Sequence, residues 1–336
     1  MKRTTGVLLF FAVMGISLSF PAWSEEKTLV LKLATLAPEG SAWMRTLQKV
    51  NREVDSRTGG ALRIRAYPGG VMGDDQAVLR KMRIGQIHIA GITTLGLGSI
   101  FKDIQVLAAP FLFQTYDEVD HVLTRLTTRL EKGFEKNGYI LVGWSEIGFV
   151  YIMSNKPIAR LEDFQGMKVW MPEGDLLSQA VFRKVGVSPV PLSIPDVLMA
   201  LQTGLVDVVY SPPIGAIALQ WFTKVKYIIR VPLSYAVGGV AMTQKAFDRI
   251  PQEHQQTFKG IFRENISDLN TLTRRDNEEA LRVIETEGIQ PMEPSAEELA
   301  RFQRIAQEAT EELAGDAFSM EMLEEVRTYL NERRGG

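Results

Sequence analysis

The sequence predicts an α/β protein of two lobes with a helical C-terminal part. Three observations carry this. Strand and helix patterns alternate through the first two thirds, β-rich runs continue unbroken past Ile147 and Val237, and the last third changes to apolar residues at spacings of three and four. The 336 residues, 45% hydrophobic and 23% charged, suffice for about two cores without metals or disulfides, which excludes disorder as the general description.

Thr28 to Leu36 alternates as a strand, Pro38 interrupts it, and a helical pattern runs from Ser41 to Arg57 until Gly59-Gly60 stops it. Ala61 to Tyr67 alternates again, Asp74 is placed to cap a helix ending near Arg83, and Gly85 leads into a strand through Ile92. From Tyr139 a β-rich run extends to Met153. Met167 to Met171, a helix from about Leu176 to Val185, and Val187 to Pro191 open a second α/β lobe. Ser193 is placed to cap a helix containing Asp196 to Thr203, Gly204 ends it, Val206 to Tyr210 follows as a strand, and Ile228 to Thr243 is strand-like throughout. Phe258, Ile261, Phe262, Ile266, Leu269 and Leu272 mark one face of a long helix, which the pattern alone assigns to core packing ahead of bracing two lobes. Pro291 and Pro294 end that segment, Ser295 and Glu298 have capping-box spacing, and two further helices reach Arg334.

The first residues read as a leader. Lys2 and Arg3 precede an apolar stretch from Gly6 to Phe20 and the small-residue pattern Ala22-Trp23-Ser24, so 1–24 is expected to be a signal peptide cleaved near Ser24. The stretch is shorter than the ~20 residues of a spanning helix, and no later segment suffices, so no stable membrane insertion of the mature chain is expected. Cleavage leaves 36 basic against 40 acidic residues, a balance without the basic runs that bind nucleic acid. The absence of cysteine excludes a thiol nucleophile, a Cys-ligated zinc and a lipid-bearing cysteine, which makes the periplasm the expected address.

Catalytic apparatus is hard to assemble. Histidine occurs only at 88, 121 and 254, without metal-ligand spacing, and no cofactor is implied. Gly143-Trp144-Ser145-Glu146-Ile147 lacks the second glycine of a nucleophile elbow, and Ser99-Ile100-Phe101-Lys102 lacks its companion Lys-Thr-Gly. Gly69-Gly70-Val71-Met72-Gly73-Asp74-Asp75 lacks the lysine of a phosphate loop and reads as a turn and helix cap whose acids repel anions. Glu297 and Glu298 read as a solvated helical surface. Trp43, Trp144, Trp170, Trp221, Tyr210 and Tyr235 are candidates for a cleft wall. Together these features favour a binding protein over an enzyme.

Three segments carry a resemblance: Tyr67-Pro68-Gly69-Gly70-Val71-Met72-Gly73-Asp74-Asp75, continued by Leu79, Gly85 and Ile89-Ala90; Leu161-Glu162-Asp163-Phe164-Gln165-Gly166-Met167-Lys168-Val169; and Pro191-Leu192-Ser193-Ile194-Pro195-Asp196-Val197 leading through Ala200-Leu201-Gln202-Thr203-Gly204 to Val206-Asp207. In order and spacing they resemble the DctP-type solute receptors of tripartite ATP-independent periplasmic (TRAP) transporters, over nearly the whole mature chain. The resemblance implies a two-lobed periplasmic binding protein fold with an interlobe cleft and a long C-terminal bracing helix. It also implies closure on a small-molecule ligand and delivery to a membrane permease of a small and a large subunit. The expected division is 25–147 plus 238–265 for lobe I, 148–237 for lobe II, and 266–336 for a helical segment packing across both.

The chain departs from the family where ligand should sit. In Lys168-Val169-Trp170-Met171-Pro172, Trp170 stands at the place of an arginine whose guanidinium forks onto a substrate carboxylate in relatives. Ser211 aligns with a usual asparagine beside Tyr210, Ile194 with a ring that packs on ligand, and Thr93 (with Thr94), Gly96 and Val150 with positions charged in acid-sugar receptors. Together with Glu173, Trp43 and Tyr235, these residues form the expected ligand site. The expected ligand is neutral or apolar. The alternatives are a C4-dicarboxylate or other carboxylate for the same transporter class, or a role as a periplasmic sensor or lipid chaperone.

Overall fold

A computed structural model describes residues 28–335. The expected leader and its cleavage point lie outside the described residues. The first half contains β1 (Leu29–Thr35), α1 (Ala42–Arg57), β2 (Leu62–Tyr67), α2 (Asp75–Arg83), β3 (Ile89–Thr93), α3 (Thr94–Gly98), α4 (Tyr116–Lys136) and β4 (Tyr139–Ser154). There follow β5 (Trp170–Met171), α5 (Leu176–Lys184), β6 (Val190–Pro191), α6 (Val197–Thr203), β7 (Val208–Ser211), α7 (Pro213–Ala218), β8 (Tyr227–Ile229) and β9 (Ser234–Thr243). The chain ends in α8 (Gln244–Phe247), α9 (Gln252–Thr286), β10 (Gln290–Met292), α10 (Ala296–Leu313) and α11 (Met320–Gly335). Among the described residues no helix is long and apolar enough to cross a membrane.

The two lobes share a strand. β1 pairs in parallel with β2 and β3, while β3 and β4 flank β9 antiparallel. β4 runs beside β9 as far as Val150, and from Tyr151 to Ser154 pairs instead with β7, with β8 next to it and β10 parallel to β8. One face of the first sheet is covered by α2, α4 and α11, whose Leu79, Leu126 and Leu323 are buried together. The other face is covered by α1, α8 and the front half of α9. In the second lobe Met153, Trp170, Leu201, Trp221 and Ile228 form one core, and Ile152, Phe164, Phe182 and Ile229 another.

The long helix reaches both cores, with Phe258, Phe262 and Ile266 in the first lobe and Ile284 in the second. Leu272, expected on its buried face, is 37% exposed, because the stripe at mid-helix is polar. There the Asn270 amide donates to the Trp144 carbonyl (2.9 Å) and accepts from the Glu146 N–H (2.9 Å). Asn277, one further turn pair along, donates to the Ile147 carbonyl (2.9 Å) and accepts from the Ile214 N–H (3.1 Å). Between them Arg274 forks onto Glu146, with bonds of 2.7 and 2.5 Å. The two asparagines satisfy the backbone of β4 beside the point where its register with β9 shifts, between Glu146 and Gly148, while Arg274 holds the Glu146 side chain. Gly148 has φ 119, and a Cβ on it would lie 2.4 Å from the Asn277 amide nitrogen, so only glycine lets the helix approach this closely.

Several local expectations are corrected. Ile228 to Thr243 is two strands, since the chain turns between Ile229 and Ser234 around Pro232, which has no N–H for a ladder. The extended runs before Met171 and Pro191 pair over two residues each. Ser193 makes no helix-capping bond, because its hydroxyl donates to the Asp196 carboxylate (2.5 Å) and a 3-10 turn precedes α6. Ser295 does accept from the Glu298 N–H (3.2 Å), yet Glu298 is not a solvated partner in a capping box: its carboxylate is buried and accepts from the Leu161 N–H (3.1 Å) and Arg301 (2.6 Å).

Removing the Asn277 amide leaves the Ile147 carbonyl and the Ile214 N–H without partners. Both groups are half-buried, so the lower part of an orphan's cost of about 1–3 kcal/mol applies to each, and Asn277→Ala is expected to lower the unfolding free energy by about 2–4 kcal/mol in urea titration. A loss below about 0.5 kcal/mol contradicts this account of the hinge.

Candidate functional site: the interlobe cleft

A cavity of about 410 Å³ lies between the lobes, and its wall combines residues of both with the strand crossings. Trp43, Thr93, Thr94, Val150, Trp170, Glu173, Ile194, Tyr210, Ser211 and Tyr235, all expected at the ligand site, line it. Gly96 does not. A Cβ there would lie 2.7 Å from an Asp75 carboxylate oxygen, so its contribution is the space it leaves for that acid. Trp221 also lines the cleft, whereas Trp144 borders a separate hollow between α4, β4 and α9.

The second lobe supplies an aromatic wall that is already packed. Trp170 is 3% exposed, its indole N–H donates to the Leu192 carbonyl (3.0 Å), and its ring lies 5.0 Å from Trp221 and 5.1 Å from Tyr210. Most of its surface is therefore spent inside the lobe, and a ligand meets only a small part of it. The Tyr210 hydroxyl donates to the Ser178 hydroxyl (2.9 Å), which donates to Asp175 (2.6 Å); burial pushes the Tyr210 phenol and the Asp175 carboxyl above their ordinary values. The Ser211 hydroxyl bonds the Pro212 carbonyl (3.0 Å). Glu173 is exposed at the rim.

Tyr235 borders the cavity from an aromatic cluster, its ring 5.4 Å from Phe149 and 5.9 Å from Phe113. Its hydroxyl is buried without a hydrogen-bond partner, and burial raises its pKa well above the ordinary phenol value. On the first lobe the Trp43 indole donates to the Thr35 hydroxyl (2.9 Å), and a Cβ on Gly91 would lie 2.7 Å from its ring.

The charges on the wall have one sign. Asp74, Asp75, Glu146, Glu173 and Asp175 line the cavity, and no described lysine, arginine or histidine does. Lys168, two residues before Trp170, turns its ammonium onto the Gly204 carbonyl (2.8 Å). Glu146 is held by Arg274 and Asp74 caps α2, accepting from the Ala77 N–H (2.8 Å). Asp75 is different. It is buried, it forms no ion pair among the described residues, and the Thr93 N–H (3.0 Å) and hydroxyl (2.6 Å) both bond its Oδ2. Burial pushes its pKa up to about 6, further raised by Asp74 and opposed by the Thr93 bonds. Sequence reasoning read Asp75 with Asp74 as an anion-repelling turn and missed its burial. The available signal was that an acid directly after a helix cap has no capping task of its own.

A carboxyl whose pKa rises on folding is penalised only when ionised. Below pH 4 it is protonated in both states; between about 4 and 6 the unfolded chain loses its proton first and stability falls; above 6 the penalty is complete. Asp75→Asn should therefore make the unliganded protein more stable at pH 7, by up to about 3 kcal/mol, with little change at pH 4. Urea unfolding at the two pH values measures this, and a variant less stable than wild type at pH 7 contradicts it.

The profile of the DctP family, described as bacterial extracellular solute-binding protein, family 7, matches residues 33–316. The C4-dicarboxylate-binding periplasmic protein DctP of Rhodobacter capsulatus is 22% identical over 316 residues, covering 93% of this chain and 94% of its own. A TRAP periplasmic solute binding protein from Ochrobactrum anthropi, with its C-terminus bound in the ligand binding pocket, superposes with a TM-score of 0.79 at 26% identity, covering 93% of this chain and 97% of its own. The sugar acid binding protein of Advenella mimigardefordensis in complex with galactonate does so with a TM-score of 0.85 at 20% identity, covering 91% and 99%. The chain belongs to the DctP family, family 7 of the bacterial extracellular solute-binding proteins, whose members are receptors and not enzymes.

Proposed function

We propose that this protein is the periplasmic receptor of a TRAP-type transporter, closing on a small organic ligand in the interlobe cleft and presenting it to a permease of a small and a large membrane subunit. We further propose that the ligand is largely apolar and is not held through a carboxylate. One observation carries this second part: no described lysine, arginine or histidine lines the cavity, while five acids do. A carboxylate entering it would lose water, gain no guanidinium, and face negative charge. Trp170, at the place where relatives keep their arginine, joins Trp221 and Ile194 in an apolar wall instead. Family membership and the N-terminal leader pattern support the address.

The relatives favour a second reading. The Rhodobacter protein is named for C4-dicarboxylates and the Advenella protein holds galactonate, so a carboxylate receptor of the same transporter class is the alternative.

Calorimetry separates the two. Succinate, malate and galactonate are expected to bind more weakly than about 1 mM, a free energy of about −4 kcal/mol. Micromolar, salt-sensitive binding of any of them establishes the carboxylate reading. For a ligand that does bind, solution scattering should show a smaller radius of gyration at saturation, because both lobes and the crossings between them contribute wall; an unchanged profile contradicts closure.

A further inference from the structure

Resting on the reading above, we propose that the polar end of the ligand is a cationic nitrogen, an amine or ammonium group, which Asp75 receives from the first lobe, with Asp175 as the carboxyl that the second lobe adds to the wall. The ligand class is then an apolar amine. The juxtaposition that carries this is a wall of one charge sign. Asp75 and Asp175 both line the cavity, each from a different lobe, and neither forms an ion pair among the described residues. Asp74 and Glu173 add negative charge, and among the described residues Glu146 is the lining acid that has a cation of its own.

Asp75 is placed for a ligand as well as buried. Both bonds from Thr93 fall on Oδ2, with the Gly96 amide nearby, which leaves acceptor capacity in a group with about four lone-pair sites. The missing side chain of Gly96 gives it room. An uncompensated acid beside an apolar cavity weakens the unliganded fold, and a cationic ligand is the partner that reverses this while an anion worsens it. The aromatic wall suits the same group: a cation over an indole or phenol ring gains attraction that a neutral ligand does not. Trp43 stands on the first lobe beside the strand that leads to Thr93, and Tyr210 and Trp170 stand on the second.

Three probes of similar shape and different charge test this: 2-phenylethylamine, 2-phenylethanol and 3-phenylpropionate, titrated into the mature protein by calorimetry. The amine is expected to bind at least tenfold more tightly than the alcohol, with the carboxylate weakest. Asp75→Asn should abolish the amine's advantage while keeping alcohol binding, and Asp175→Asn should reduce it. Equal affinity for amine and alcohol, or no amine binding at millimolar concentration, overturns the proposal and leaves the apolar-ligand reading standing. Preference for the carboxylate overturns both. Carboxylate binding that appears only on addition of calcium also overturns this proposal, by assigning the acids to a metal.

Discussion

The fold depends on the way α9 secures β4. A strand of sixteen residues that belongs to two lobes leaves β9 after Val150 and takes β7 from Tyr151, and just before this, between Glu146 and Gly148, its register with β9 shifts and the ladder is interrupted. Asn270 and Asn277, on one stripe of the helix, bond that backbone, Arg274 between them holds the Glu146 carboxylate, and Gly148 removes the side chain that would keep the helix away. The same helix is anchored by apolar residues in both cores. The two lobes are thus joined by bending strands and a continuous brace, which defines a cleft and limits how it can open.

That arrangement also determines the chemistry of the cleft. Arg274 is bonded to the lining residue Glu146, but it is fully committed. It bonds both oxygens of Glu146 and both of Asp120, and its guanidinium lies 4.7 Å over the Tyr116 ring. These carboxylates raise its pKa further, so it stays charged and stays in place. Its charge is used to hold the hinge and to neutralise Glu146. Lys168 is likewise turned away onto a carbonyl. With both cations engaged elsewhere, the remaining wall is aromatic, aliphatic and acidic, a surface that penalises a bare carboxylate through desolvation and repulsion together.

Most of the architecture was legible because it rests on local patterns. Alternation in β1 and β2, the cap at Asp74 and the stop at Gly204 are all properties of neighbouring residues, and the structure shows each. What escaped depends on distant residues. Glu298 looks like surface until the Leu161 N–H, 137 positions away, is placed on it. Leu272 fits an apolar stripe that the hinge has taken over for polar contacts. At the site, the aromatic positions could be nominated from the sequence, whereas the burial of Trp170 inside its own lobe and the isolation of Asp75 could not, since both follow from how the lobes fill their interiors.

The proposal that this cleft selects against carboxylate-anchored ligands is open to a direct test. Native mass spectrometry of the protein purified without prior dialysis or unfolding, followed by release and identification of whatever small molecule it carries, tests it most directly. The account predicts a largely apolar molecule that is not a simple carboxylic acid. Recovery of a dicarboxylate or a sugar acid in stoichiometric amount contradicts it.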